Sequence, residues 1–228
     1  SDPYFDIVIV GGGMAGASLA AELATHARVL VLEAEDQPGY HTTGRSAAFW
    51  TESYGGAGVQ PLTSASGPAL KALGFLTPRM ALTIGRADQA AAVKAFAQEY
   101  TALGIDVQLL DRDAIAAHVP SLREEWQFGA LEPSCCDIDV MGLHAHYLAR
   151  MRENCAQLWC RAKLASATRT GGEWALTLSD GRSARCETLI NAAGAWADTV
   201  AQIAGVAPLG ITPLRRTIAQ VRIGSDVP

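Results

Sequence analysis

Cysteine is scarce and odd in number. The 228 residues hold five: Cys135, Cys136, Cys155, Cys160 and Cys186. No CxxC pair occurs and no Cys/His spacing suits zinc, so no metal site is expected. The adjacent pair Cys135–Cys136 reads as two reduced, half-buried thiols, which suits a reducing compartment. A basic surplus is also missing. Eighteen Lys and Arg stand against 23 Asp and Glu, a formal charge of -5, which argues against binding nucleic acid through its phosphates. Apolar runs are short and broken by charge or glycine, so no segment is expected to span a bilayer. No basic leader precedes the apolar start, so no signal peptide is expected and the expected location is cytoplasmic. Internal repeats, low-complexity segments and the G-x-S-x-G elbow of serine hydrolases are all lacking. What is present is a globular mix, 49% hydrophobic and 18% charged. It excludes disorder, collagen and coiled coil, and the length suits one large domain or two small interleaved ones.

The chain opens on a buried-strand pattern, FDIVIV at residues 5–10. A helical pattern follows over 14–25, with Met14, Leu19, Ala20 and Leu23 on one face, and then a second apolar strand over 28–32. This is a compressed βαβ unit, the building block of parallel sheets. Residues 36–68 are rich in glycine, serine and threonine and read as one long functional loop. Helices are expected over 89–103, 111–118 and 142–153. Strands at 174–178 and 183–190 flank the turn Ser179-Asp180-Gly181-Arg182 as a hairpin. Asn191-Ala192-Ala193-Gly194 follows, then a helix with Trp196, Val200 and Ile203 at spacings of four and three. Residues 206–223 read as strand-like, broken by Pro208 and Pro213. His144 and His146 sit two apart on their helix and read as solvated or half-buried side chains, not a metal pair.

Gly11-Gly12-Gly13-Met14-Ala15-Gly16 is a G-x-G-x-x-G placed after a strand and opening a helix, the context that gives the pattern meaning. Gly11 permits the tight turn, Gly13 lets backbone approach a pyrophosphate, and Gly16 allows close helix–strand packing. The helix N-terminus offers free N–H groups and a positive dipole end. Glu33 follows Gly11 by 22 residues, and a carboxylate there accepts hydrogen bonds from ribose hydroxyls and repels a 2′-phosphate. A dinucleotide is therefore expected. The run Gly39-Tyr40-His41-Thr42-Thr43-Gly44-Arg45-Ser46-Ala47-Ala48 forms a second cradle that suits a longer cofactor, FAD over NAD.

Residues 35–54, the glycine turn and Asn191-Ala192-Ala193-Gly194-Ala195-Trp196 resemble the D-amino-acid oxidase superfamily of flavoproteins. Gly-Tyr-His-Thr-Thr-Gly-Arg-Ser-Ala-Ala resembles the bacterial D-amino acid dehydrogenases, the D-arginine type in particular. The resemblance spans the whole chain, closely over 4–54 and 186–217 and loosely over 60–135. It implies an α/β fold: a Rossmann-like FAD-binding domain with a parallel sheet, residues 1–75 and 136–205, interleaved with an incomplete antiparallel α+β substrate domain, residues 76–135 and 206–228. It places Gly11, Gly13, Ala15 and Gly16 at the pyrophosphate, Glu33 and Ala34 at the adenosine ribose, and Leu164 at adenine. Thr42, Thr43, Gly44, Arg45, Ser46, Ala47, Ala48 and Phe49 would run towards the flavin ring, with Ala193 and Gly194 against the cofactor. Thr51 and Tyr54 would line the flavin's reactive face, and Arg216 would meet the substrate carboxylate.

The departures bear on substrate. Relatives often carry histidine where Phe49 stands, and residues 76–86 hold Arg79 and Arg86 but no acid. Both favour a neutral or apolar D-amino acid over D-arginine. The family also runs longer than this chain, so a fragment, a truncated product or one piece of a two-chain enzyme is expected. The implied activity is oxidation of the Cα–N bond of a D-amino acid, with oxygen or a membrane-linked quinone as acceptor. A 2-hydroxy acid, a secondary amine, or a non-catalytic FAD-binding subunit remain alternatives.

Overall fold

The computed structural model describes residues 2–215, 217 and 219. Its first elements are β1 (Tyr4–Val10), α1 (Met14–Leu23), β2 (Val29–Leu32), β3 (Phe49–Trp50), α2 (Gly56–Ala72) and β4 (Leu76–Pro78). Next come β5 (Ala81–Arg86), α3 (Ala90–Ala102), β6 (Gln108–Leu110), α4 (Arg112–His118), β7 (Trp126–Glu132) and β8 (Cys136–Ile138). The last are α5 (Val140–Glu153), β9 (Gln157–Trp159), β10 (Leu164–Thr170), β11 (Glu173–Leu178), β12 (Ser183–Asn191) and α6 (Ala197–Ile203). Among the described residues no helix is long and apolar enough to cross a membrane.

The chain divides into two compact units. One takes the residues up to Ser46 together with Val140–Thr217, and the other takes Ala47–Asp139. Residues 47–75 and 136–139, expected with the first unit, thus fold with the second. Their strands explain it: β3 and β4 both pair with β8 (Phe49 opposite Asp137, Leu76 opposite Ile138), and strand pairing outweighs nearness in sequence.

The first unit is built on a mixed six-stranded sheet in the order β10-β11-β12-β1-β2-β9. β12, β1, β2 and β9 run parallel, while β10, β11 and β12 are antiparallel neighbours. A parallel strand covered on both faces needs apolar residues at every position, hence the unbroken runs Ile7–Val10 and Val29–Leu32, while Asp6, before the first run, pairs with Arg28 at 3.1 Å. Val8, Val10, Leu30 and Leu32 face a core shared with Leu176, Leu178 and Val200. Ile9, Val29 and Val31 face the opposite core, against Ala17, Ala20 and Ala21 of α1 and Leu148 and Met151 of α5. Each fully buried Ile or Leu contributes about 1.5–3 kcal/mol. The register places Val10 opposite both Leu32 and Asn191. The carboxyl ends of three parallel strands therefore stop level, and the segments that leave them meet at one sheet edge. Such an edge is where ligands bind in doubly wound folds.

The second unit pairs two small antiparallel sheets, β3-β8-β4 and β5-β7-β6. Val93, Ala97 and Tyr100 of α3 pack on Ile105, Val107 and Ala130. Two expectations fail. The loop expected over 36–68 becomes helix from Gly56 onward, although Pro61 and Pro68 each remove a helical N–H donor. Trp50 braces this helix from outside: its Nε1–H donates to the Thr63 carbonyl at 2.8 Å, and its ring fills the space over Gly67, where a Cβ would lie 2.4 Å from Cζ2. The stretch from 206 forms no strand among its described residues. Asp198 draws it in, accepting the N–H groups of Leu209, Gly210 and Ile211 at 2.9, 2.9 and 2.7 Å.

Candidate cofactor site

The turn between β1 and α1 can be made only by glycine at two places. Gly11 sits at φ +113°, and a Cβ on it would lie 2.3 Å from the Ala192 carbonyl oxygen. A Cβ on Gly16 would lie 1.9 Å from the Gly11 carbonyl oxygen, so helix and turn touch through bare backbone. Gly13 differs. It is the N-cap of α1 in extended conformation, and its added Cβ would meet only Thr43 Oγ1, at 3.2 Å.

The first N–H groups of a helix have no partner within it. Here Thr43 Oγ1 accepts from Met14 at 3.0 Å and Glu33 Oε2 accepts from Gly12 at 3.0 Å. Among the described residues no group accepts the N–H of Gly13 or Ala15. Both line a cavity of about 430 Å³ at the level edge of the sheet, within the range of small-ligand sites. Glu33 is held firmly there. Its Oε1 accepts the Glu35 N–H at 3.0 Å, its own N–H donates to Trp159, and its carbonyl accepts from Ala162. Each carboxylate oxygen keeps a free acceptor direction. Burial, then the Glu33 charge, push the Cys160 thiol above its ordinary value, so that neighbour stays neutral.

Gly11, Gly13, Ala15, Glu33, Ala34, Thr42, Thr43, Leu164, Ala193 and Gly194 all line this one cavity. Gly16 lies beneath it as packing. Gly44, Arg45 and Ser46 belong to the same unit but do not line the cavity, and Arg45 stacks on Tyr40 at 4.8 Å. Ala47, Ala48 and Phe49 belong to the other unit. Sequence reasoning gave no lining role to Trp196. Trp196 is half exposed, and its ring lies tilted over that of His41 with centroids 4.5 Å apart, while His41 Nε2 pairs with Glu35 at 2.8 Å. The apolar break after Gly194 was the available signal. His144, expected as solvated or half-buried, is fully buried.

The candidate substrate-side residues lie in the second unit, around a carboxylate the sequence did not single out. Glu132, at the end of β7, is only 2% exposed. It accepts from Thr51 Oγ1 at 2.8 Å, the Glu52 N–H at 2.8 Å, the Ser53 N–H at 3.3 Å, Ser134 Oγ at 3.3 Å and the Ser53 hydroxyl. Thr51 thus spends its proton on Glu132, while Tyr54, just beyond, is 63% exposed. Burial, then the Glu132 charge, raise the Cys135 thiol above its ordinary value. Arg79 is not free to meet a substrate: it pairs with Asp137 at 2.9 Å and covers the Phe49 ring at 4.6 Å. Arg216 lies outside the described residues.

This arrangement fits one long anionic cofactor. Unpaired N–H groups at a helix N-terminus suit a pyrophosphate, and a fixed carboxylate beside them suits ribose hydroxyls. Comparison with solved structures supports the fold. Glycine oxidase from Geobacillus kaustophilus superposes with a TM-score of 0.81 at 20% identity, covering 89% of this chain and 59% of that one. L-alpha-glycerophosphate oxidase from Mycoplasma pneumoniae, solved with FAD bound, gives 0.81 at 17% identity, covering 89% and 57%. L-proline dehydrogenase from P. horikoshii gives 0.78 at 19% identity, covering 90% and 57%. The chain therefore spans less than two thirds of the length of these relatives. The FAD dependent oxidoreductase (DAO) family matches residues 6–226, and the chain belongs to that family.

Proposed function

We propose that this chain forms the FAD-binding part of an enzyme that oxidises the Cα–N bond of a D-amino acid, with a neutral or apolar side chain preferred. The observation that carries the reading is the cavity beside α1, where the unpaired N–H groups of Gly13 and Ala15 and the fixed carboxylate of Glu33 converge. Gly13 and Ala15 hold the pyrophosphate, helped by the positive end of the helix dipole. Glu33 accepts from the ribose hydroxyls and repels a 2′-phosphate. Leu164 covers the adenine, and Ala193 and Gly194 let the cofactor lie close to the end of β12. A bound flavin supplies the acceptor for the hydride leaving the substrate's Cα. A substrate amine arriving neutral would become an iminium as its nitrogen lone pair forms the C=N bond, and water would then hydrolyse the iminium to a keto acid and ammonium.

Glu132 fixes Thr51 and Ser53, and so presents Tyr54 for hydrogen bonding to the substrate, directly or through water. Arg216 holds the substrate carboxylate, since a guanidinium fork makes two charge-assisted hydrogen bonds to it. The D-amino-acid assignment rests on the Gly39–Ala48 run and its likeness to the bacterial D-amino acid dehydrogenases.

The test uses the full-length enzyme. D-Amino acids should bleach its flavin absorbance under anaerobic conditions. Bleaching by 2-hydroxy acids alone, or by no amino acid of either hand, would remove the assignment. Arg216→Ala should raise KM about tenfold to a hundredfold at normal flavin content, and Arg216→Lys should restore only part. An unchanged KM with intact flavin would take Arg216 out of the site.

A further inference from the structure

His144, on α5, is 3% exposed, and its Nε2 lies 2.8 Å from the carbonyl oxygen of Gly12. A carbonyl only accepts, so Nε2 carries the proton and donates it. The peptide unit is planar and trans, so the Gly12 C=O and the Gly13 N–H point in opposite directions. Tying the carbonyl to His144 turns the Gly13 N–H away from the imidazole. That N–H meets no acceptor among the described residues, and Gly13 lines the cavity.

The same ring touches the second wall of the site. Gly39 adopts φ +78°, and a Cβ on it would lie 2.8 Å from His144 Cε1 and 3.0 Å from Nδ1. No side chain fits there, so the backbone at Gly39 packs directly on the imidazole. From that seat the Gly39 carbonyl accepts the Gly44 N–H at 2.7 Å, closing the loop that carries Thr43 back to Met14 at 3.0 Å. One buried side chain from a distant helix thus braces both the glycine turn and the loop behind it.

We propose that His144 is a positioning residue for the cofactor pyrophosphate. Its Nε2–H holds the Gly12–Gly13 peptide with the Gly13 N–H presented to the anion, and its ring seats the Gly39–Thr43 loop. This rests on the proposal that the turn takes the pyrophosphate of FAD. Leucine at this position keeps bulk and removes the donor. Glutamine keeps an amide donor at similar reach.

FAD titration, followed by flavin fluorescence, tests the idea on the protein stripped of its flavin. His144→Leu should raise the FAD dissociation constant roughly tenfold, and His144→Gln should stay within about threefold of the parent. Equal affinity in His144→Leu and the parent overturns the proposal. So does an equal loss in both variants, because packing alone would then explain it. Should His144→Leu fail to fold, ¹⁵N NMR of the parent's histidine ring decides. An Nε2–H tautomer supports the proposal, and an Nδ1–H tautomer, which cannot donate to Gly12, overturns it. A folded parent that binds no FAD would instead defeat the underlying cofactor assignment.

Discussion

Gly13 and Gly16 stand three residues apart in one motif, yet the structure gives them opposite sensitivities. Alanine at 16 drives its Cβ to 1.9 Å from the Gly11 carbonyl oxygen. Gly11 cannot move aside, because its N–H is bonded to Leu32 at 2.8 Å and its own far side abuts Ala192. Overpacking costs about 1–3 kcal/mol, and a backbone-on-backbone clash belongs at the top of that range. Gly16 is only the third residue of α1, so alanine there returns at most about 1 kcal/mol of helix propensity. The net is about 2 kcal/mol of destabilisation, a fall of roughly 4–8 °C in melting temperature for a chain of this size. Alanine at 13 meets only Thr43 Oγ1 at 3.2 Å, in a backbone conformation any residue adopts. Its melting temperature should stay within about 2 °C of the parent, while its FAD affinity falls about tenfold because the methyl group intrudes on the cavity. Thermal unfolding by circular dichroism without cofactor, together with FAD titration, separates the two. A Gly16→Ala variant that melts with the parent, or a Gly13→Ala variant that loses stability but keeps its FAD affinity, would refute the assignment of packing to one glycine and cofactor approach to the other.

Glu132→Ala should strand the half-buried donors of Thr51, Glu52 and Ser53. A fully buried orphan costs about 1–3 kcal/mol and a half-buried one less, so urea unfolding should show a loss of about 2 kcal/mol, and a loss under about 0.5 would contradict the network. Cys186 is fully buried, and burial pushes its thiol up to about 11. In the unfolded chain the thiol ionises at its ordinary value of 9.0, so its contribution is present below that pH and is lost as pH rises towards about 11. Cys186→Ala should therefore lose less unfolding free energy than the parent between about pH 8 and pH 10.5, and parallel losses would show that the thiol does not titrate as described.

Local chemistry explains what the sequence made legible. Two uninterrupted apolar runs, a glycine turn and an acid at the second strand's end each state their role within a few residues, so β1, α1, β2 and Glu33 are found without a structure. Long-range contacts explain the rest. α2 carries two prolines yet forms, braced from outside by Trp50, a contact that no local spacing reveals. Glu132 gathers donors from Thr51 to Ser134, an association no spacing reveals. His144 reads as a solvated or half-buried helix residue until its ring is seen bonded to Gly12, 132 positions earlier. The stretch after 206 has strand-like residues, but three of its N–H groups go to the Asp198 carboxylate instead of a neighbouring strand.

The most direct test of the central claim is the identity of the bound dinucleotide. The protein should be purified without added cofactor, denatured, and its released small molecules identified by mass, with the remaining apoprotein titrated against FAD, NAD and NADP. Recovery of FAD and saturable binding of FAD alone is the predicted result. Recovery of a nicotinamide dinucleotide, or no binding at saturating FAD by folded protein, would contradict the account.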